Sequence, residues 1–258
     1  MQTLDPDVLL TERDQRGVVT LTLNRPKAFN ALSEALLSRL HAELDALEQD
    51  TSLRAVVLAA SGKAFCAGHD LKEMRANPDE AYYQDLFMQC SRMMLRLQAL
   101  PVPVIAKVRG MATAAGCQLV AQCDLAVCAD DAQFAVSGVR LGLFCSTPSV
   151  PVSRNLGRKQ AFEMLVTGDF ISAEQAQERG LVNQVVAADA LDGAVEQLLK
   201  SILAKPQAAL AMGKSLFYRQ LEVGMEAAYR DAAQTMARNM MEACAMDGVQ
   251  AFIDKKAG

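Results

Sequence analysis

Ala55-Val56-Val57-Leu58-Ala59 leads, after a short connection, into Lys63-Ala64-Phe65-Cys66-Ala67-Gly68-His69-Asp70-Leu71-Lys72. An unbroken apolar run of this length reads as a strand buried on both faces, as in a parallel sheet. The small residues after it let a ligand approach the backbone closely, and the helix start beyond them leaves N–H groups without internal partners. The same order recurs downstream. Val102-Pro103-Val104-Ile105-Ala106-Lys107-Val108 reads as another strand, and Gly110-Met111-Ala112-Thr113-Ala114-Ala115-Gly116-Cys117 as a second small-residue loop opening a helix. Two such loops, each at the positive end of a helix dipole, would aim one N–H apiece at a single carbonyl oxygen. Taken singly, either loop serves tight helix–sheet packing equally well.

Outward from these loops the chain alternates strands and helices. Gly17–Leu23 reads as the first strand, ended by Asn24-Arg25-Pro26. A helix follows from about Ser33, with Leu36, Leu37, Leu40, Leu44 and Leu47 on one face. His41 lies in this helix as a surface residue. A helix spans about Tyr82 to Leu100, and Leu125–Cys128 and Leu181–Val186 supply a fourth and a fifth strand. This alternation predicts an α/β fold built on crossover connections. After Ala188 the pattern is helical only, over roughly 190–203, 206–222 and 224–243 with a last helix towards Ile253, and it carries Met212, Met225, Met236, Met240, Met241 and Met246. The chain therefore divides into a core over 1–188 and a helical region over 189–258, packed on the core or on a neighbouring subunit.

Composition narrows the function classes. The 258 residues are 51% hydrophobic and 22% charged, with a net charge of −4, which fits a sizeable globular core. No dense Lys/Arg cluster offers a nucleic-acid stripe, and no apolar run reaches the roughly 18 residues needed to span a bilayer. The opening Met1-Gln2-Thr3-Leu4-Asp5-Pro6-Asp7 lacks both the basic-then-apolar order of a signal peptide and the Arg-rich character of a transit peptide, so a cytosolic location is expected. The seven cysteines form no CxxC pair and read as small hydrophobes rather than as disulfides. With only His41 and His69 as histidines, no metal-ligand spacing is recognisable.

Asn24-Arg25-Pro26-Lys27-Ala28-Phe29-Asn30-Ala31-Leu32, the Ala67–Leu71 loop and Gly110 through Cys123-Asp124 together resemble the crotonase (enoyl-CoA hydratase/isomerase) superfamily. The resemblance continues through Phe134-Ala135, Leu141-Gly142, Thr167-Gly168 and Ile171-Ser172-Ala173-Glu174-Gln175-Ala176, in order and at family spacing. It implies a crotonase-like ββα superhelix with a C-terminal helical trimerisation region, assembled as a homotrimer or a dimer of trimers. It also implies an acyl-CoA substrate, with coenzyme A present only as part of the thioester and no separate cofactor. Carried over by position, the oxyanion-hole amides fall on His69 and Ala115. Lys27, Ala28 and Phe29 match the segment that lines the coenzyme, together with Met111, while Ala67, Asp70 and Leu71 match the thioester-side wall.

The pattern breaks at the acid–base pair. Hydratases of this family hold a water between two glutamates, one directly after the Gly-Cys of the second loop and one four residues after Phe134. Here those positions are Gln118 and Gly138. A glutamine holds water but does not exchange its proton at neutral pH, and a glycine offers no side chain. The run Ala112–Ala121 with Gly142–Pro148 is similar to a divergent branch, the enoyl-CoA hydratase domain-containing proteins, which lack both glutamates.

Two function classes follow. The first is an enzyme named with the hydratases and isomerases that stabilises a thioester enolate and uses a non-standard proton donor, with a His69-dependent decarboxylase or hydrolase as a variant. The second is an acyl-CoA-binding protein without catalysis. The His69 imidazole either faces the thioester or leaves the work to its amide. Asp70 is placed as a cap of the following helix, Cys117 and Cys145 as packing residues with lining of the pocket as the alternative, Arg140 as a solvated or interface charge, and Asp124 as a structural carboxylate at a strand entry.

Overall fold

The chain winds as a repeated strand–strand–helix turn in a computed structural model that describes residues 6–256. The stretch Met1-Gln2-Thr3-Leu4-Asp5, on which part of the cytosolic expectation was based, lies outside the described residues. An opening hairpin, β1 (Leu9–Arg13) and β2 (Val18–Leu23), precedes α1 (Glu34–Glu48). The first turn is β3 (Ala55–Ala60), β4 (Ala64–Cys66), α2 (Leu71–Ala76) and α3 (Glu80–Ala99). The second is β5 (Val104–Val108), β6 (Met111–Thr113) and α4 (Ala115–Gln122). The third is β7 (Leu125–Ala129), β8 (Gln133–Ala135), α5 (Ser146–Asn155) and α6 (Arg158–Thr167). Then come β9 (Ile171–Ser172), α7 (Ala173–Glu178), β10 (Gln184–Val186), α8 (Leu191–Leu203), α9 (Gln207–Leu221), α10 (Met225–Met240) and α11 (Ala243–Lys256).

The first strand of each turn joins one sheet and the second strand joins another. The larger sheet runs β1-β2-β3-β5-β7-β10 and is parallel except for the β1 edge; the smaller runs β4-β6-β8-β9. The two loops quoted at the outset therefore leave adjacent strands of the smaller sheet, β4 and β6. Alternation along the strands of the larger sheet separates two cores. Val56 and Leu58 of β3 face the main core with the leucines of α1, whereas Ala55 and Val57 face a second cluster with Ile105, Val127 and the α8 residues Leu191, Val195 and Leu199. The first helix of the C-terminal region thus covers the back of the larger sheet.

The sequence expectations for the long elements hold to within a few residues. Ser33 caps α1, its side chain accepting the Leu36 N–H at 3.2 Å. Two differences have a local cause. The strand predicted over 181–186 pairs only at Gln184–Val186, because Leu181 and Val182 are buried in the turn after α7. The helix predicted over 224–243 ends at Met240, and α11 starts at Ala243. His41 sits partly exposed beside Asp45, 3.6 Å away one helical turn on.

One buried ionic knot ties the C-terminal helices to the turns. Lys214 of α9 donates to Asp124 at 2.7 Å and to the carbonyls of Leu97 and Val102 at 3.0 and 2.9 Å. Tyr218 donates to the other Asp124 oxygen at 2.7 Å, and Asp124 also accepts the Val104 N–H at the entry of β5. Lys214 leaves only 8% of its side chain exposed, so removing it strands a carboxylate and two carbonyls. Lys214→Ala should cost about 3 kcal/mol in urea unfolding. Lys214→Met combined with Asp124→Asn should cost less than that, and equal losses would mean that the stranded Asp124 charge carries no penalty of its own.

Candidate active site

The first loop is held from both sides. Leu32 donates to the Gly68 carbonyl at 2.7 Å and accepts the Asp70 N–H at 3.1 Å, a one-residue parallel bridge centred on His69. Neighbouring amides of an extended segment point to opposite sides, so the His69 N–H is turned away from Leu32. Among the described residues it meets no acceptor. The turn before it is pinned by Asn30, a fully buried residue at φ +54°. Asn30 donates to the carbonyls of Ser61 and Ala64, both at 2.8 Å, and accepts the Arg25 N–H at 2.8 Å. Sequence reading gave Asn30 no role, although an Asn between two turns is the residue type that tolerates a left-handed backbone.

The second loop is strained where it turns into α4. Ala114 adopts φ +52° and ψ −120°, a conformation that an L-residue with a Cβ reaches only at a cost of about 1–3 kcal/mol. Its N–H donates to Ala135 at 2.9 Å and its carbonyl accepts the Gln118 N–H at 3.0 Å. The next amide, of Ala115, opens the helix and has no acceptor among the described residues. The two loops touch. A Cβ on Gly116 would lie 2.0 Å from the Cys66 carbonyl oxygen, and one on Gly68 would lie 2.9 Å from the Ala114 side chain and 3.3 Å from the Ala115 nitrogen.

Beside this contact lies a cavity of about 210 Å³. Ala67, His69, Ala114 and Ala115 form its base; Leu71 and Met74 of α2, Phe87 of α3 and the 137–148 segment form its walls. Of the residues singled out from the sequence, the cavity thus unites Ala67, His69, Leu71, Ala115 and Gly138. Lys27, Ala28 and Phe29 stand outside it in a short turn whose Phe29 carbonyl accepts the Ala67 N–H at 3.0 Å. Met111 is a β6 residue paired with Ala64, away from the wall.

Asp70 does not line the cavity. Its side chain caps α2 by accepting the Lys72 N–H at 3.1 Å and pairs with Arg25 at 2.9 Å. Burial alone would raise its pKa, but Arg25 and the α2 amides hold it below the usual carboxylate range. Gln118 lies one turn into α4, on the same face as Ala115, and is buried with its Oε1 unpartnered. Gly138 is walled in: its N–H donates to the Cys145 Sγ at 3.3 Å, and a Cβ there would lie 2.4 Å from the Leu143 carbonyl oxygen. Ser137 pairs with Thr113 through their hydroxyls at 2.7 Å, and Arg140 turns outward to Asp169.

His69 packs edge-on against Phe87, with ring centroids 5.3 Å apart. Both ring nitrogens are buried without a hydrogen-bond partner. Burial pushes its pKa down to about 4, opposed only weakly by the Leu32 backbone, so the imidazole is neutral at pH 7. Cys117 and Cys145 are buried thiols pushed up by the same desolvation.

This geometry has relatives. A family model described as enoyl-CoA hydratase/isomerase matches residues 13–258. The chain belongs to the enoyl-CoA hydratase/isomerase family. It is 40% identical over 248 residues to the mitochondrial enoyl-CoA hydratase domain-containing protein 3 of Rattus norvegicus, covering 96% of this chain and 83% of that protein. A crystal structure of an enoyl-CoA hydratase from Mycobacterium smegmatis superposes with a TM-score of 0.95 at 64% identity, covering 96% of each chain. The human enoyl-CoA hydratase domain-containing protein 3 superposes with a TM-score of 0.92 at 38% identity, covering 96% of this chain and 98% of that one. The crotonase-like α/β fold expected from the sequence therefore holds, as does the similarity to the domain-containing branch. The cytosolic expectation is corrected: the rat relative and its mouse, frog and human counterparts are named mitochondrial. Acidic composition at an N-terminus was too weak a guide to set against that finding.

Two outcomes follow from the site geometry. Gly116→Ala should destabilise the fold by about 2 kcal/mol or more in urea unfolding, because the added methyl meets a backbone carbonyl rather than a side chain that can move. The second concerns His69. Unfolded, its imidazole titrates near 6.5, against about 4 when folded, so the unfolded chain takes up the proton first as pH falls. Stability present above pH 6.5 is lost towards pH 4, about 2 kcal/mol of it between pH 7 and 5. Urea titrations of wild type and His69→Phe at the two pH values should show that excess loss in wild type alone.

Proposed function

We propose that the chain binds an acyl-CoA thioester and stabilises its enolate through the His69 and Ala115 N–H groups. One observation carries this reading: among the described residues both amides lack an acceptor, and both belong to loops that meet at one predominantly apolar cavity. The positive end of α4 adds to the Ala115 donor, and each such donor is typically worth about 3–4 kcal/mol of transition-state stabilisation. Leu71 and Ala67 border the thioester, and the exposed Lys27 and Phe29 beside the first loop take the coenzyme A portion, with Ala28, Met111 and Asp70 behind them. Coenzyme A enters as part of the substrate, and no further cofactor is invoked.

In this reading the family's two glutamates are replaced by Gln118 and Gly138, so hydration by the usual pair is lost. The only imidazole in the cavity is His69, whose low pKa makes it a weak base at neutral pH. That same observation favours a second reading, a protein that binds an acyl-CoA without turning it over. A decarboxylase or hydrolase would have to work through the His69 ring. Assembly as a homotrimer or a dimer of trimers belongs to the proposal as well. It is supported by the apolar surface that α9 to α11 expose, including Phe217, Leu221, Met225, Tyr229, Met236 and Phe252.

The decisive test separates carbonyl activation from proton transfer. Infrared difference spectra of crotonyl-CoA labelled with ¹³C at the thioester carbonyl should show that band moving to lower frequency on binding, as two N–H donors polarise it. A band unmoved in the bound complex would sink the oxyanion assignment. In parallel, wild type should hydrate crotonyl-CoA at least about 100-fold more slowly than a family member with both glutamates. Turnover at the full rate would show that Gln118 and Gly138 are not the decisive replacements.

A further inference from the structure

We infer that the cavity selects an uncharged, apolar acyl chain and excludes acyl groups that end in a carboxylate, through the side chains of α2, α3 and the 141–148 segment. This specificity rests on the thioester reading above. None of the residues lining the cavity is Lys, Arg, Asp or Glu. The arrangement follows from helix periodicity. Leu71 and Met74, three residues apart, share the inward face of α2, while Lys72 and Arg75 share an exposed one. Phe87 faces inward from α3, whereas Asp85 is exposed.

Of the charged residues on the elements that border the cavity, Lys72 and Arg75 lie on the exposed face of α2 and three others are engaged with protein partners. Asp70 is held by Arg25 at 2.9 Å, Glu73 accepts the Glu34 N–H at 2.9 Å, and Arg140 pairs with Asp169. The imidazole of His69 is neutral and packed on Phe87, so it offers no cation. A carboxylate entering this space loses its hydration and meets no opposite charge. A methylene entering it instead gains, at about fourfold in affinity for each one buried. Leu141, Leu143 and Phe144 extend the apolar wall to the protein surface, where they are 71%, 47% and 44% exposed. A growing acyl chain therefore continues along an apolar rim.

The test compares two nearly isosteric ligands, hexanoyl-CoA and glutaryl-CoA, by isothermal titration of the full chain, with free coenzyme A as the baseline. Hexanoyl-CoA should bind more tightly than glutaryl-CoA by more than about 100-fold. Leu71→Arg, at a half-exposed position where folding is not at risk, and Met74→Arg, deeper in the wall, should each narrow that gap at least about tenfold. Circular dichroism confirms the fold of each. Equal affinity of the two ligands in wild type, or a gap that persists in both folded variants, would overturn the inference. If neither acyl-CoA binds more tightly than free coenzyme A, the thioester reading itself fails, and that outcome is distinct from a failure of selectivity alone.

Discussion

The close approach of two backbones, Cys66 against Gly116, is the constraint from which the site follows. The virtual Cβ of Gly116 lies 2.0 Å from the Cys66 carbonyl oxygen, so the first turn of α4 packs directly on the end of β4 with no side chain between them. Gly68 repeats the contact on the other side, against Ala114 and Ala115. Only with the chains this close do two amides from different turns of the superhelix border one small space. The strain at Ala114, directly before α4, accompanies this contact, and the left-handed backbone at Asn30 turns the chain beside the first loop. Asn30 offsets part of that cost with three hydrogen bonds from one buried amide side chain.

Much of the fold was legible because the larger sheet announces itself. Ala55–Ala60 and Val104–Val108 are buried on both faces, and a parallel strand in that setting must be apolar throughout. The leucines of α1 mark their helix just as plainly. The smaller sheet was illegible for the opposite reason. β4, β6 and β8 are three residues each and β9 two, too short for any period to register, and β4 and β6 sit inside the two small-residue loops. What reads in sequence as a small-residue loop is in fact a strand, a turn of four residues in the first loop and one in the second, and a helix start.

The site was legible in part, and the division is instructive. The family resemblance put the donor amides on His69 and Ala115, and the structure sets both residues at the base of one cavity. Asp70 was matched to the cavity wall yet turns away, because a helix cap and a guanidinium both compete for the same carboxylate. Cys145 was singled out as a packing or pocket-lining thiol, but nothing in the sequence showed that it and Leu143 close over Gly138. Their effect depends on a reversal of the chain at Gly142, φ +80°, that brings the Leu143 N–H to the Gly138 carbonyl at 3.0 Å.

That reversal also fixes what position 138 can hold. At position 138 the absence of a side chain and the filling of its space are one event. The Leu143 carbonyl and the Cys145 sulfur occupy the volume that any Cβ would enter, and the same sulfur accepts the Gly138 N–H. A single substitution to glutamate meets backbone there, so a carboxylate cannot be restored without moving the 141–147 segment. Since Leu143 and Phe144 of that segment also wall the cavity, moving it would reshape the acyl space as well. In the proposed reading, the missing carboxylate at position 138 and the uncharged wall are thus coupled through one loop, and a change that undoes the first must also undo the second.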